Sequence, residues 1–540
     1  MLVAIALLTA CASEDTQQKN DTKQGGEHIA ATFTGHQPKA NGSAKSRTTA
    51  TYTIGNAAQV LWESTDHIHV EDDGGTFRQS FDATFPISGN NARANFQLAT
   101  GPYSFTRINP RVLYTGFYGG VTEADIARIQ TQDSPNDFSH LGKSGDCGSA
   151  VAKGGGGDYE FILDHKASYL CFLPRCMNTD LGPNIKLTKI VVKADKNIAG
   201  RYDFTDGSLM GKTPISGASN TITLNLGGTN GFSLNTTTAN LAMNGAYMVI
   251  APGTYNLTIS YTLQDVNGVS GEITKTLDNF ICPEGQIKDI TANLTPPPFS
   301  LPKYYLWDAQ QHYWKDYESE QPTINRYAPG ASQGIHYPQN NSDPQHRWYN
   351  ESYPGPGFRN DAQTSLFTTL PNVNELYWYV SKGDARWDSS KITSYVGVSS
   401  GHLRVFNVIG GLWLKKRSAI LTYLKNVEHY PTMLTWDDLK EAYWDSPTAP
   451  HVDYRITYPS PFFKSTISNR PINTDDYFFI PALGRQFEGW MDSLFTYGYC
   501  WSSSANPWDK NSALCLGFYD GRVGVYSYGR EFGFLAQVFE

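Results

Sequence analysis

The chain has 540 residues, a net charge of −8, 17% charged and 13% aromatic side chains, 49 glycines and 29 prolines. So little charge with so many aromatics excludes a largely disordered chain and suits β-rich globular modules. No long run of lysine and arginine occurs, so nucleic acid is not expected as a partner, and the length allows about three to four domains.

At the N-terminus, residues 2–8 form an apolar stretch too short to anchor stably across a bilayer. Leu8, Thr9, Ala10 and Cys11 follow and resemble a lipobox, the site where a bacterial lipoprotein is cut before a cysteine that is then acylated. The acids Glu14 and Asp15 just beyond resemble the surface-export signal of Bacteroidetes lipoproteins. The resemblance implies a signal peptide over residues 1–11, lipidation (palmitate) at Cys11 and a surface-exposed anchor in the cell outer membrane. Residues 12–47 read as a polar tether. One island, residues 28–34, has strand character, and Arg47 beyond it is open to a trypsin-like protease in an exposed loop.

From Tyr52 the pattern becomes short alternating strands and turns. Residues 48–182 and 183–294 read as two antiparallel β-sandwiches. Arg47-Thr48, Trp62, Asp66 with Ile68 and Val70, His140-Leu141-Gly142, His165 with Ala167-Ser168, Ile198-Ala199-Gly200 and Ala251-Pro252-Gly253-Thr254 occur in this order. Together they resemble the Bacteroidetes fimbrillin family over about residues 28–295. That family implies two transthyretin-like β-sandwich domains, transport as a lipoprotein and assembly into a pilus. It also implies proteolytic removal of the first strand at an arginine, here Arg47, with a neighbour's strand filling the groove. The physical basis is that an unpaired strand edge and an open core are satisfied by an incoming strand.

Pro296-Pro297-Pro298 opens a linker over residues 295–303, expected to be a stiff spacer. Beyond it the composition changes: eleven of the twelve tryptophans lie past residue 303, so residues 304–540 form a different kind of domain. Residues 316–365 read as loop. Residues 371–380 read as helical or buried, and Thr435 is placed to cap a short helix. Residues 477–480 read as a buried strand, and Asp520-Gly521 as a hairpin turn. The run Phe478-Phe479-Ile480-Pro481-Ala482-Leu483-Gly484, then Tyr499-Cys500-Trp501-Ser502-Ser503-Ser504, then the hairpin, resembles the Fibrobacter-type major paralogous domain, a C-type-lectin-like module. Residues 397–401 match G-x-S-x-G around Ser399, but Ser399 lies in a Ser/Gly-rich loop and only His429 and His451 follow His402, so a nucleophile elbow is not expected.

The fold class expected is therefore mainly β: two transthyretin-like β-sandwich domains followed by an α+β C-type-lectin-like domain. The ligand-binding candidates are Trp501, Ser503, Asn506, Trp508 and Asp509, where aromatic faces sit beside hydrogen-bonding groups. Cys500 and Cys515 flank the serine loop and are the expected disulfide. The calcium-dependent lectins' Trp-Asn-Asp motif is missing, and no metal or cofactor is expected. The function expected is a surface-anchored pilus subunit at the tip or in an accessory position, an adhesin rather than an enzyme. Its partners would be other pilin subunits through donor-strand exchange, the outer membrane through the lipid, and a glycan or protein ligand. Two alternatives stand beside it. One is an enzyme of the formylglycine-generating type, which needs Cys500 and Cys515 reactive. The other is a surface lipoprotein that captures glycan without building a pilus.

Overall fold

The computed structural model describes residues 29–37, 52, 54–55, 61–227, 231–458 and 462–540; Cys11 and Arg47 lie outside the described residues. The chain is mainly β. Among the described residues no helix is long and apolar enough to cross a membrane.

The segment with strand character near the N-terminus is β1 (Ile29–His36), and it lies inside a sheet. It runs antiparallel to β2 (Arg93–Ala99) and parallel to β3 (Asp158–Ile162). Alternation turns Ala31 and Phe33 inward. Phe33 is fully buried and stacks on Tyr159 at 4.5 Å. Gly35 stands where the Phe161 ring passes, and a Cβ there would come within 2.6 Å of it. The facing sheet contributes Val70, Val112 and Tyr114, and Trp62 meets Phe96 and Phe161 edge-on to close this core.

A second core does not begin at residue 183. β4 (Ser168–Arg175) is the middle strand of a sheet, antiparallel to Ala246–Ile250 and parallel to Ile287–Asn293. Strands Glu123–Ile126 and Ile129–Gln132 also pair with strands beyond residue 198. The boundary drawn at 182/183 therefore cuts through this core. Hydrophobic alternation marks strands but carries no information about their distant partners.

The third core surrounds a six-stranded sheet. α1 (Val373–Lys382) packs beside it and starts with a capping box: the Asn372 side chain accepts from Glu375 N–H, and the Glu375 carboxylate accepts from Asn372 N–H. α2 (Trp436–Glu441) has the expected Thr435 cap, completed by Asp438. The sheet is built from β7 (Tyr497–Ala505), β8 (Ser512–Tyr519), β9 (Arg522–Gly529) and β10 (Phe534–Leu535), with Tyr304–Tyr305 and Phe462–Lys464 as its edges. The Asp520-Gly521 turn sets Tyr519 opposite Arg522. Leu514, Leu516 and Phe518 join the core on one face, while Trp501, Cys515 and Phe534 join the core on the other. β7 and β8 are buried on both faces, as strands in the middle of a covered sheet are.

Between α1 and α2 in sequence lie β5 (Arg386–Ser399) and β6 (His402–Lys415), a long hairpin whose tip reaches the second core. Leu403 is 1% exposed and belongs to that core, Leu403 N–H donates to Asp265 (3.1 Å), and Asn184 Nδ2–H donates to Gly401 O (2.8 Å). The same hairpin pairs with the proline segment: Phe299 N–H donates to Val398 O and Val398 N–H to Pro297 O, both at 2.9 Å. The linker over residues 295–303, expected to be a stiff spacer, is therefore pinned along its middle. Ser399 ends a strand that turns into another strand, through Ser400 at φ +51°, so G-x-S-x-G here is a hairpin turn and not an elbow.

Candidate functional site

The five residues expected to bind a ligand do not converge. Trp501 is 0% exposed; its Nε1–H donates to Tyr305 O at 2.8 Å and its ring lies 4.4 Å from Phe534. It is a core residue. Asn506 is buried and builds the turn: Oδ1 accepts from Trp508 N–H (2.9 Å) and Nδ2–H donates to Ser527 Oγ (2.9 Å). Asp509 is committed in the same way, accepting from Asn511 N–H (2.9 Å) and Ser512 Oγ–H (2.8 Å). Trp508 is 48% exposed, with its Nε1–H directed to Ile456 O at 3.2 Å. Ser503 opens elsewhere, onto a cleft of about 390 Å³ lined also by Arg359, Asp361, Glu375, Arg417 and Lys440.

Cys500 and Cys515 are not a disulfide; both are free and buried. The register sets Cys500 opposite Leu516 and Cys515 opposite Trp501, one residue out of step. With a side-chain period of two, that offset sends the two thiols to opposite faces of the sheet. Burial raises both thiols far above their ordinary range. A buried neutral thiol is a poor nucleophile, so this pair gives no support to the formylglycine-type reading. Among the described residues no group of three or more His, Cys, Asp or Glu is placed to hold a metal ion.

A larger cleft, of about 600 Å³, lies in the polar stretch that reads as loop. Its walls come from residues 308–310, 341–350 and 363–365. Asp308, at φ +54°, ties two of them to its own: its carboxylate accepts from Gln363 N–H (2.8 Å), Thr364 N–H (2.9 Å), Thr364 Oγ1–H (2.7 Å) and Asn350 Nδ2–H (2.7 Å). Asp343 accepts from Arg347 Nε–H at 3.0 Å, and the buried Arg347 also donates to His336 O (2.7 Å). Burial works against ionising Asp343, but the Arg347 guanidinium outweighs it and holds the carboxyl below its usual range. Arg530, fully buried, donates to Asn350 O (2.6 Å) and Ser352 O (3.0 Å) with its guanidinium over the Trp307 ring at 4.6 Å.

The half-buried Trp348 lies on this cleft beside Tyr349, ring centroids 4.6 Å apart. Its Nε1–H donates to Glu351 at 2.9 Å, which fixes the ring, and the other Glu351 oxygen accepts from Asn341 Nδ2–H at 3.1 Å. Gln310, His346, Gln363 and Ser365 also line it, and none of their side chains has a partner among the described residues. Sequence reading passes over this cleft because its residues are scattered over a stretch with no periodicity. The one available signal is the Trp348-Tyr349 pair inside an otherwise polar run.

No family model matches the chain, and no curated protein matches it. Among solved structures, a Bacteroides ovatus protein provisionally named for cell adhesion is similar over 50% of this chain and 93% of its own, at 11% identity and a TM-score of 0.31. A Bacteroides uniformis protein with the same provisional name covers 43% of this chain and 89% of its own, at 15% identity and 0.29. A fimbrial protein from Bacteroides ovatus covers 92% of this chain and 99% of its own, at 10% identity and 0.21. Superpositions this loose carry no weight for function; the chain's own geometry does.

Proposed function

We propose that the protein is a surface-anchored adhesin subunit of a pilus. It is tethered to the outer membrane through Cys11, opened by cleavage at Arg47, and ends in a ligand-binding head over residues 304–540. The observation that carries the reading is the place of β1. An interior strand on the N-terminal side of the proposed cleavage at Arg47 can be withdrawn once the chain is cut, and its loss leaves two strand edges, β2 and β3, with the Phe33 slot empty between them. A neighbour's strand satisfies both edges and refills the slot.

The head supports a tip or accessory position over a shaft position. β10 is an interior strand, held between Tyr304–Tyr305 and β7, so it is not free to serve as a donor. A subunit that accepts a strand while this strand of its head stays paired suits the end of a fibre. The test is digestion of the purified chain with an arginine-specific protease. A single early cut at Arg47, absent in Arg47→Ala, supports the reading; a chain cut first elsewhere, with residue 47 protected, contradicts it.

A further inference from the structure

We infer that the 600 Å³ cleft walled by residues 308–310, 341–350 and 363–365 is a carbohydrate site that takes uncharged glycans. The inference rests on the head being the ligand-binding part of the molecule, and it names the ligand class. A pyranose presents an apolar C–H face and a rim of hydroxyls, each both donor and acceptor. The site that recognises it needs a fixed aromatic face with amide and hydroxyl groups around it.

The cleft supplies both. Trp348 is held by Glu351 and backed by Tyr349, so its face is set before a ligand arrives. Gln310, Gln363, Ser365 and His346 bring side-chain polar groups that have no partner among the described residues. The walls are tied together through Asp308 and the Asp343–Arg347 pair, so little ordering is left to be done on binding. The volume falls within the range of about 300–1,000 Å³ typical of small-ligand sites.

Charge narrows the class. Asp308, Asp343 and Glu351 surround the cleft. Arg347 is consumed by Asp343 and by backbone carbonyls, and Arg530 is buried against the Asn350 and Ser352 carbonyls. Among the described residues no lysine or arginine lines the cleft to meet a sialate, uronate or sulfate, which would instead face the Asp308 and Glu351 carboxylates. The smaller cleft carries Arg359, Arg417 and Lys440 beside Asp361 and Glu375, so its lining has charge of both signs.

The test is binding of the intact chain to an array of neutral, N-acetylhexosamine-bearing, sialylated and sulfated oligosaccharides, with calorimetry on whichever neutral glycan is retained most strongly. Neutral glycans are expected to bind. Trp348→Ala is expected to weaken binding about tenfold or more, Gln363→Ala by a smaller factor, and Trp348→Phe to retain most of it. Lys440→Ala, in the other cleft, is expected to bind like the parent, and an unchanged melting temperature shows each variant to be folded. Retention of sialylated or sulfated glycans alone overturns the inference, as does no retention at all, or unchanged affinity in both Trp348→Ala and Gln363→Ala. Cleavage at Arg47 is read separately, so the sugar site and the strand-accepting role fail independently.

Discussion

Trp501 and Trp508 lie in one short stretch and do opposite things. Trp501 carries the core between β7, β10 and the Tyr305 carbonyl, so Trp501→Ala is expected to cost about 3–5 kcal/mol in chemical unfolding. Trp508→Ala at a half-exposed surface is expected to cost less than about 1 kcal/mol. Equal effects would show that the burial assigned to these residues is wrong. Sequence pattern marked the stretch as aromatic but could not say which ring turns inward, because β7 is buried on both faces and gives no alternation to read. Asp66 makes a second residue-scale prediction. Burial outweighs the hydrogen bonds it accepts from Glu63 N–H and Tyr114 Oη–H and pushes its carboxyl up to about 7. A raised acid favours the folded state while protonated, so that contribution is complete below the unfolded value of about 4 and is lost as pH rises through about 7. The stability of the parent relative to Asp66→Asn is expected to fall across this window in denaturant titrations; a difference independent of pH contradicts it.

At the scale of elements, local chemistry was readable and long-range pairing was not. The Thr435 cap, the Asp520-Gly521 hairpin and the strand at residues 477–480, observed as Tyr477–Pro481, depend on neighbours in sequence, and all three are present. The hairpin β5–β6 is different. Its strands do not stand out in the sequence, and nothing in them announces that the tip crosses to another core and pins the proline segment. This contact makes the linker a brace. Leu403→Asp places an unpaired charge in an apolar site and is expected to release the tip. Small-angle scattering should then report a larger maximum dimension with the secondary structure retained. No change in dimension would mean that the tip does not set the angle between the head and the rest of the chain.

At the scale of the whole molecule, the tryptophan-rich part past residue 303, set apart by composition, contributes the residues of a separate core. The limit drawn inside the first 294 residues failed because β4 and its neighbours cross it to pair. The sugar cleft was illegible for the same reason: three loops far apart in sequence are brought together by Asp308 and Arg530. The account of the molecule as a fibre-terminating adhesin depends most on β1 being replaceable. The direct measurement is uptake of a labelled synthetic peptide, residues 28–37, by the chain before and after cleavage at Arg47. The account predicts that the intact chain excludes the peptide and that the cleaved chain takes it up in one-to-one stoichiometry, blocked when Phe33 of the peptide is replaced by aspartate. A cleaved chain that keeps its own first strand and admits no peptide, even under mild denaturant, would contradict it.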